Sequence, residues 1–573
     1  MSNSSPSGRF RIALDNTWLW LALGLGMVYG RGLWLDVMDV DAAQYASISM
    51  EMLQNGQWLQ VQHRQADYLD KPPLLFWSSA LSFLLLGIHN WSYKLPSLLA
   101  AAAGVYATWR FCLLYYPART ARHAGFLLAA CIGVLLLGND VRTDTLLMGM
   151  SACTVWQLAA FVHPQSPNKT LHLLAAGLFA GLAMLAKGPI GLIMPAFAVG
   201  THLLLQRNWS GLFQWRWLLA LAVAALVLAP MCWGLYQQFD LHPEKTVNGR
   251  SGVSGLYFFF WEQSFGRITG ENVWQNDTSP FFFLHVYLWA FLPWSILLLP
   301  ALGRRLREVV QQNFRLAVSE EGYSLGGFVL TFVALSMSHY KLPHYIFITL
   351  PWAAVLTARW LDRWETQLSA RGRSGWGKAQ LAVLAVPVLL SYLLLGFVFP
   401  TENLLLWGIP TALFGWAFWK TAPASAEGLM QRGVLVFLGT ALVLNVHFYP
   451  ALLPYQSTAA AARYARAHQI PADRLAFFHR HGHALDFYSG RILPELADLK
   501  QVAAKTADTP AFWLYTDSTG MTQLDSAGFS FEQTTRIPHF QVALLKPAFL
   551  NPATRAGATE PVYLLKILSG PEH

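Results

Sequence analysis

The sequence is poor in charge. Only 12% of its 573 residues are Asp, Glu, Lys or Arg, whereas 54% are hydrophobic, and an ordinary soluble domain carries about 25% charged residues. This shortage excludes a soluble globular chain, because most of its surface would then be apolar. The chain has 40 Lys and Arg against 31 Asp and Glu, and its basic residues lie in short clusters between apolar runs. That distribution is typical of membrane-protein loops and gives no stripe for nucleic acid.

Cysteine is also scarce. Cys112, Cys131, Cys153 and Cys232 all lie within apolar segments and form no C-x-x-C pattern. Buried thiols behave as small hydrophobic side chains, so the sequence gives no indication of cysteine-based metal or redox chemistry. A small-residue cleavage site is absent after the first apolar run, which favours an uncleaved first helix over a signal peptide. The N-terminus is therefore expected to stay in the cytoplasm.

Apolar runs long enough to cross a bilayer recur through most of the chain. A membrane-spanning helix needs about 20 apolar residues, and this criterion predicts about 13 spans. With a cytoplasmic N-terminus, the arginine-rich connections, such as residues 304–315, fall on the cytoplasmic side, as the positive-inside rule requires. The predicted spans begin near Trp18, Leu95, Ala124, Leu146, Leu171, Ile190, Leu218, Phe281, Leu325, Leu342, Leu381, Leu404 and Val434.

One further apolar segment, residues 72–87, is interpreted differently. It is short and carries a strip of serines at positions 78, 79 and 82, which favours a helix lying in the membrane interface over one that crosses it. A short genuine span remains the alternative, and it would move the basic loops to the outer face. With the interfacial interpretation, residues 36–94 and 236–280 form outer loops.

The composition changes near residue 449. Residues 1–448 are expected to form a transmembrane domain, and residues 449–573 a second domain outside the membrane. The second part contains the strand-like runs RLAFFH, AFWLYT and FQVALL between helical or turn stretches. This alternation predicts a small α/β domain.

The first outer loop concentrates acidic residues in front of a helical pattern. Asp36, Asp39 and Asp41 precede a run in which Tyr45 and other apolar residues recur at helical spacing. N-cap and solvated-loop roles explain one or two such acids, whereas the alternative is a general base at the membrane face. Lys71, followed by two prolines that fix the backbone, is suited to bind a phosphate at the same depth.

Other ionisable residues lie at the predicted outer ends of spans. Asp140, Arg142 and Asp144 occur together in NDVRTD, where a functional role and a surface ion pair are both open. For each basic residue the alternative is a snorkelling cation without a special role. The same outer face is expected to carry Lys187, Glu262, Arg267, His339, Lys341, His344 and Tyr345.

These segments together resemble the bacterial aminoarabinose transferase and protein O-mannosyltransferase group of GT-C glycosyltransferases. The similar motifs, in the right order, are DAAQY at Asp41, DKPPLLFW at Lys71, R-x-D-T-x-L at Asp144, AKGPIG at Lys187, FWEQSFGR, DTSPFFFLHVYLWAFLPW and KLPHYIF. The resemblance implies a GT-C fold, juxtamembrane helices in the first outer loop and an extracytoplasmic C-terminal domain. It also implies about 13 transmembrane helices, in agreement with the hydropathy pattern.

The resemblance also implies roles for the site residues. Asp41 matches the catalytic aspartate, Asp144 matches a second acid and is expected to be catalytic as well, and Lys71 matches the lysine that contacts the phosphate of the lipid-linked donor. The residues expected to assist at this phosphate are Lys187, Arg267 and Lys341. Those expected to bind substrate are Tyr45, Glu262, His344 and Tyr345.

The implied protein is a multi-pass enzyme of the bacterial inner membrane with a periplasmic C-terminal domain. It would transfer a sugar, such as 4-amino-4-deoxy-L-arabinose, from a polyprenyl-phosphate carrier to a lipid A-like glycolipid, a protein or another periplasmic acceptor. Where aminoarabinose transferases carry Glu and Arg, this chain has Ala42 and Gln44, which leaves the sugar open. A transporter or flippase of lipid-linked sugars is the rival, although it should place ionisable residues near the bilayer midplane.

No cofactor is expected from the sequence. Asp39 and Asp41 form a D-x-D that could hold a divalent cation, but the related enzymes use lysine and arginine on the phosphate, so a metal is not favoured. The run HRHGH from His479 to His483 could bind zinc as one face of a strand, although an exposed polar strand is the favoured interpretation.

Overall fold

The computed structural model describes residues 17–247, 249–263, 265–269, 276, 278–419, 425–509 and 511–569. The N-terminal segment on which the cytoplasmic N-terminus depends lies outside these residues. So does Asp277 of the motif DTSPFFF.

Helices form most of the described residues up to Leu452. Leucine and alanine, which favour helices, fill them, and glycine ends some of them, as Gly56 does with a φ of 69°. The helices of eight or more residues in this part are α1 (Thr17–Gly32), α2 (Asp41–Asn55), α3 (Leu74–Leu86), α4 (Asn90–Tyr115), α5 (Ala118–Ala129), α6 (Ile132–Asn139), α7 (Thr143–Val162), α8 (Lys169–Lys187), α9 (Ile190–Leu205), α10 (Trp217–Leu235), α11 (Phe282–Ala290), α12 (Ser295–Gln311), α13 (Tyr323–Ser336), α14 (Leu350–Asp362), α15 (Ala370–Leu393), α16 (Leu404–Trp419) and α17 (Ala426–Val443).

Shorter helical segments extend or connect these helices. Five-residue π-helical turns continue α10 (Tyr236–Asp240), α15 (Leu394–Val398) and α17 (Leu444–Phe448). The other short segments are Trp209–Leu212, Gly255–Tyr257, Phe258–Glu262, Gly266–Thr269, Pro343–Thr349, Trp364–Gln367, Tyr449–Leu452 and Leu453–Tyr455.

Six helices in the described residues are long and apolar enough to cross a membrane, or up to seven if α5 and α6, bent by 50°, form one span. The count of 13 is therefore not confirmed. The apolar helices α3, α9, α13 and α16 are shorter, and a 16-residue helix extends only about 24 Å against a hydrocarbon core of about 30 Å. The segment predicted to be interfacial forms α3, a helix of 13 residues.

Small residues bring the helices that carry the site close together. A Cβ on Gly149 of α7 would lie 2.1 Å from the Ala100 carbonyl oxygen of α4. A Cβ on Gly177 of α8 would lie 2.4 Å from the Ala220 carbonyl oxygen of α10. Glycine at these positions allows the backbone contact that van der Waals packing between apolar helices requires.

The chain after residue 456 forms a mixed five-stranded sheet. The strands are β5 (Leu475–Phe478), β6 (Glu495–Leu496), β7 (Phe512–Asp517), β8 (Ser530–His539) and β9 (Glu560–Ser569), in the order β6-β5-β7-β9-β8. β5 is parallel to β6 and β7, whereas β9 is antiparallel to β7 and β8. The helices of this sheet module are α18 (Ser457–Ala467), α19 (His483–Ser489), α20 (Leu499–Asp508) and α21 (Ser518–Ser526), with short segments at Ala472–Arg474, Pro547–Leu550 and Ala556–Ala558.

Two of the three predicted strands are correct. RLAFFH contains β5 and AFWLYT contains all of β7 except its last residue, Asp517, whereas the prediction of a strand at FQVALL is wrong. Phe540 and Val542 of that run are buried in an apolar cluster with helical residues such as Leu395 and Leu452, so tertiary packing overrides their β propensity. The edge strand β8 was missed because its sequence, SFEQTTRIPH, is largely polar.

A hairpin with a two-residue turn connects the helical part to the sheet module, where Arg64 of the turn is paired with Asp486. Strands β1 (Gln62–His63) and β2 (Ala66–Asp67) flank Arg64 and Gln65, whose φ angles of 54° and 64° suit a tight hairpin turn. The Glu51 carboxylate accepts both of their backbone N–H groups at 2.7 Å. A second small hairpin, β3 (Thr246–Val247) with β4 (Arg250–Ser251), lies in the other predicted outer loop.

Candidate active site

Asp41 begins helix α2, and its carboxylate is paired with the guanidinium of Arg142. Arg142 directly precedes helix α7 and also forms an ion pair with Asp140 at 2.9 Å. The side chain of Asp41 is 41% exposed, whereas that of Arg142 is 15% exposed. Asp41 therefore presents an accessible carboxylate that the half-buried guanidinium of Arg142 holds in place.

The two aspartates that precede Asp41, Asp36 and Asp39, contact the sheet module. Asp36 is paired with Arg463, and Asp39 accepts a hydrogen bond from the hydroxyl of Thr458. Burial raises the pKa of Asp39 to about 6, although the Thr458 hydrogen bond acts in the opposite direction. These partners connect Asp36 and Asp39 to the sheet module, whereas Asp41 is paired with Arg142.

Asp144 lies in the first turn of α7 and is 3% exposed. Its carboxylate is paired with Lys187, the last residue of α8, and His344 Nε2 lies 3.7 Å from its second oxygen. The Lys187 ammonium also lies 3.7 Å from the centre of the Tyr345 ring. An ion pair with Asp144 and a cation–π contact with Tyr345 therefore fix the position of the Lys187 ammonium.

Lys187 and Lys71 line one cavity between α9 and α13. Its polar lining residues are Lys71, Lys187, Gln263, Ser338 and Tyr345. The rest of the lining is apolar: Leu147, Ile190, Ile193, Phe197, Phe265, Ala334 and Leu335. A cavity lined by two lysines and otherwise mostly by apolar side chains suits an anionic headgroup on a hydrocarbon chain.

Gln263 connects the second loop to the segment that carries Lys71. Its side-chain amide donates to the Asp70 carbonyl oxygen at 2.5 Å. Glu262, the neighbouring residue, is instead paired with Arg250 at 2.7 Å and does not line the cavity described above. The sequence singled out Glu262, but the geometry brings Gln263 to the cavity.

The remaining predicted residues have different surroundings. The Lys341 ammonium donates to the Thr278 carbonyl oxygen at 3.1 Å, and the lysine is 4% exposed. Tyr45 is buried, and its ring centre lies 5.8 Å from that of Phe76. Arg267 lies in the short helix Gly266–Thr269, and its side chain is outside the described part of the chain.

The three histidines of HRHGH do not share a strand face. Strand β5 ends at Phe478, His479 has a φ of 64°, and His483 begins helix α19. The ring centres of His481 and His483 lie 5.2 Å apart. Within the described residues, no group of three or more His, Cys, Asp or Glu side chains has an arrangement that could hold a metal ion.

Sequence reasoning missed Lys94, a buried lysine near the start of α4. Lys94 is 1% exposed, and its ammonium donates to the Gly32 carbonyl oxygen at 3.3 Å. A lysine in the first turns of an otherwise apolar helix is a signal that could have found it. Arg250 was missed for another reason, since no local pattern identifies the partner of Glu262.

Fold and site together define the class: a mostly helical membrane protein with a GT-C fold and a cluster of acids and lysines at one end of its helices. Residues 70–233 match the model of the dolichyl-phosphate-mannose-protein mannosyltransferase family. The chain superposes on the crystal structure of apo ArnT from Cupriavidus metallidurans with a TM-score of 0.71 and 20% identity, covering 96% of this chain and 99% of that one. The ArnT structure with undecaprenyl phosphate bound gives the same TM-score.

Curated relatives agree with this class. The chain is 27% identical over 334 residues to undecaprenyl phosphate-alpha-4-amino-4-deoxy-L-arabinose arabinosyl transferase 2 of Sodalis glossinidius, covering 58% of this chain and 56% of the relative. It is 27% identical over 451 residues to the corresponding transferase of Pseudomonas paraeruginosa, with coverages of 76% and 75%. The first four relatives are matched over 56% to 64% of their own length. The family resemblance predicted from the motifs is confirmed.

Proposed function

We propose that this protein is a glycosyltransferase that takes its sugar from a polyprenyl-phosphate carrier. One observation carries the proposal: two ion pairs made by residues 142–144 connect the accessible carboxylate of Asp41 to a mostly apolar cavity lined by two lysines. Arg142 is the partner of Asp41, and Asp144, two residues later, is the partner of Lys187 in that cavity. The names of the related arabinosyl transferases support the same chemistry.

The reaction is a displacement at the anomeric carbon of the donor sugar. Asp41 accepts the proton of the acceptor hydroxyl while the acceptor oxygen bonds to that carbon. The bond from the carbon to the phosphate oxygen breaks, and its electron pair leaves with the polyprenyl phosphate. Lys71 and Lys187 stabilise the charge that develops on this phosphate.

Asp144 is assigned a positioning role within this scheme. Its carboxylate is almost fully buried and paired with Lys187, so it has no open path to an acceptor hydroxyl. It fixes the ammonium at the cavity wall, where a misplacement of about 1 Å can cost a factor of 10² in rate. His344 and Tyr345 complete this positioning.

The proposed topology follows the charge distribution. The protein is proposed to lie in the bacterial inner membrane with about 13 spans, a cytoplasmic N-terminus and a periplasmic domain at residues 449–573. In this topology Asp41, Lys71, Asp144 and Lys187 lie on the outer side. Some spans then consist of shorter helices such as α9 and α13, extended by non-helical turns.

The proposed donor sugar is 4-amino-4-deoxy-L-arabinose and the proposed acceptor a lipid A-like glycolipid, because the relatives are named as aminoarabinose transferases. Transfer of a mannose-type sugar to a protein is the second candidate, favoured by the family model that matches residues 70–233. Ala42 and Gln44, both within the DAAQY motif, keep this second candidate relevant.

A direct assay separates the two candidates. Purified protein in lipid nanodiscs is given undecaprenyl phosphate carrying either aminoarabinose or mannose, with either lipid A or a membrane protein extract as acceptor. A mass increase of lipid A with the aminoarabinose donor supports the first candidate, and labelled protein with the mannose donor supports the second. If neither modified lipid A nor labelled protein forms with either donor, the proposed transferase activity is contradicted.

A further inference from the structure

A second cavity lies beside the start of α4, where the helical part meets the sheet module. Its volume is about 490 Å³, within the range of roughly 300 to 1,000 Å³ that ligand sites occupy. It is lined by residues near the ends of α1 and α3 and by residues of α18 and α19. None of the residues assigned to the proposed reaction is among those lining residues.

Two tryptophans give this cavity aromatic walls. The ring centres of Trp34 and Trp91 lie 6.4 Å apart, and His89 is stacked on Trp91 at 6.1 Å with an interplanar angle of 15°. Trp34 is 65% exposed. A large aromatic face that combines an apolar body with a polar N–H group is suited to the apolar face and hydroxyls of a sugar ring.

The charged groups of the cavity favour an anion. Arg463 is paired with Asp36, whereas Arg466 forms no ion pair with a carboxylate in the described part of the chain and donates only a 3.3 Å hydrogen bond to the Tyr488 carbonyl oxygen. Two guanidinium groups therefore face one carboxylate. The planar, five-donor guanidinium group matches the oxygens of a phosphate.

The surroundings of the cavity favour a lipid-anchored ligand over a free one. The C-terminal end of α3 exposes Leu84 and Leu85 by 60% and 70%, and the chain continues within a few residues to Ile88 and His89, which line the cavity. An apolar surface that leads to a polar, aromatic pocket suits an amphipathic molecule at a membrane interface.

We propose that this cavity binds the phosphorylated sugar headgroup of a membrane glycolipid, and that this glycolipid is the acceptor. Asp36, which lines the cavity, precedes Asp41 by five residues, so the cavity adjoins the segment that carries the accessible carboxylate. The binding site stands on the geometry of the cavity, whereas the acceptor role rests on the proposed function.

Binding is tested with full-length protein in nanodiscs and lipid A as the probe, a phosphorylated glucosamine disaccharide lipid. Arg466→Gln removes a charge-assisted contact and Trp34→Ala removes an aromatic wall, so each is expected to weaken binding about tenfold or more. Arg474→Gln, an exposed arginine of the same module, serves as the control. Soluble glucosamine 1-phosphate is expected to compete only weakly.

The outcomes separate the two parts of the inference. Unchanged lipid A affinity in both variants would overturn the site, and equal competition by glucosamine 1-phosphate would overturn its preference for a lipid-anchored ligand. A raised KM for lipid A in the variants, with kcat and the stabilisation by undecaprenyl phosphate unchanged, would support the acceptor role. If the wild type transfers no sugar but the variants still bind lipid A more weakly than the wild type does, the site is supported and only the acceptor role is overturned.

Discussion

Arg64, in the hairpin between β1 and β2, is paired with the buried carboxylate of Asp486, which lies 422 residues further along the chain. The same guanidinium donates to the Leu493 carbonyl oxygen at 2.9 Å. Burial raises the pKa of Asp486 to about 6, against the opposing effect of Arg64. This single arginine therefore links the hairpin that follows α2 to the sheet module.

Arg64→Gln is expected to destabilise this connection. The substitution leaves Asp486 buried without its cation, and removal of one partner of a buried pair typically costs about 3 to 5 kcal/mol. The loss should be larger at pH 8 than at pH 5, because at the lower pH Asp486 avoids the penalty by binding a proton. Thermal unfolding followed by tryptophan fluorescence measures it, with Arg474→Gln as control. An unchanged Tm at both pH values would contradict this account.

Asp39 should make stability depend on pH. Its pKa is about 6 in the folded protein and about 3.9 in an unfolded chain, so between these values the folded state binds more protons. Stability from this group is therefore present below about pH 4 and is lost as the pH rises through 6. In Asp39→Asn the fall in Tm from pH 4 to pH 7 should be smaller than in the wild type. The exposed Asp473→Asn is the control, and equal slopes in wild type and Asp39→Asn would refute the prediction.

Lys187 and Lys71 should determine the affinity for the carrier lipid. A bound ligand stabilises the folded state by RT ln(1 + [L]/Kd), so Tm rises with affinity, and undecaprenyl phosphate is expected to stabilise the wild type. Lys187→Gln and Lys71→Gln are each expected to weaken binding about tenfold or more, because each removes a charge-assisted contact to phosphate. Asp144→Asn should weaken it less, since the ammonium remains but loses a fixed position. Lys500→Gln, on the exposed face of α20, is the control, and full stabilisation of Lys187→Gln by the lipid would contradict the assignment.

The sequence was sufficient where a short segment carries several site residues. NDVRTD gave Asp140, Arg142 and Asp144 together, and the motifs at Asp41 and Lys187 supplied the partners that the structure pairs with them. The helical nature of the chain followed from its apolar runs.

What could not be predicted depends on pairing between distant segments. The contact of Arg64 with Asp486 has no local signal, and neither has the division of Asp36 and Asp39 toward the sheet module. The FQVALL run illustrates the same limit for the fold. Its apolar residues satisfy a strand pattern, but they pack on helices instead.

The transfer rate of Asp41→Asn tests the role of Asp41 as general base most directly. The amide keeps the shape of the side chain and its place beside Arg142 but cannot accept the acceptor proton at neutral pH. We expect a rate about 10² to 10⁴ lower than that of the wild type, with unchanged stabilisation by undecaprenyl phosphate. A rate within a few-fold of the wild type, measured on protein with the same Tm, would contradict the assignment of Asp41 as the general base.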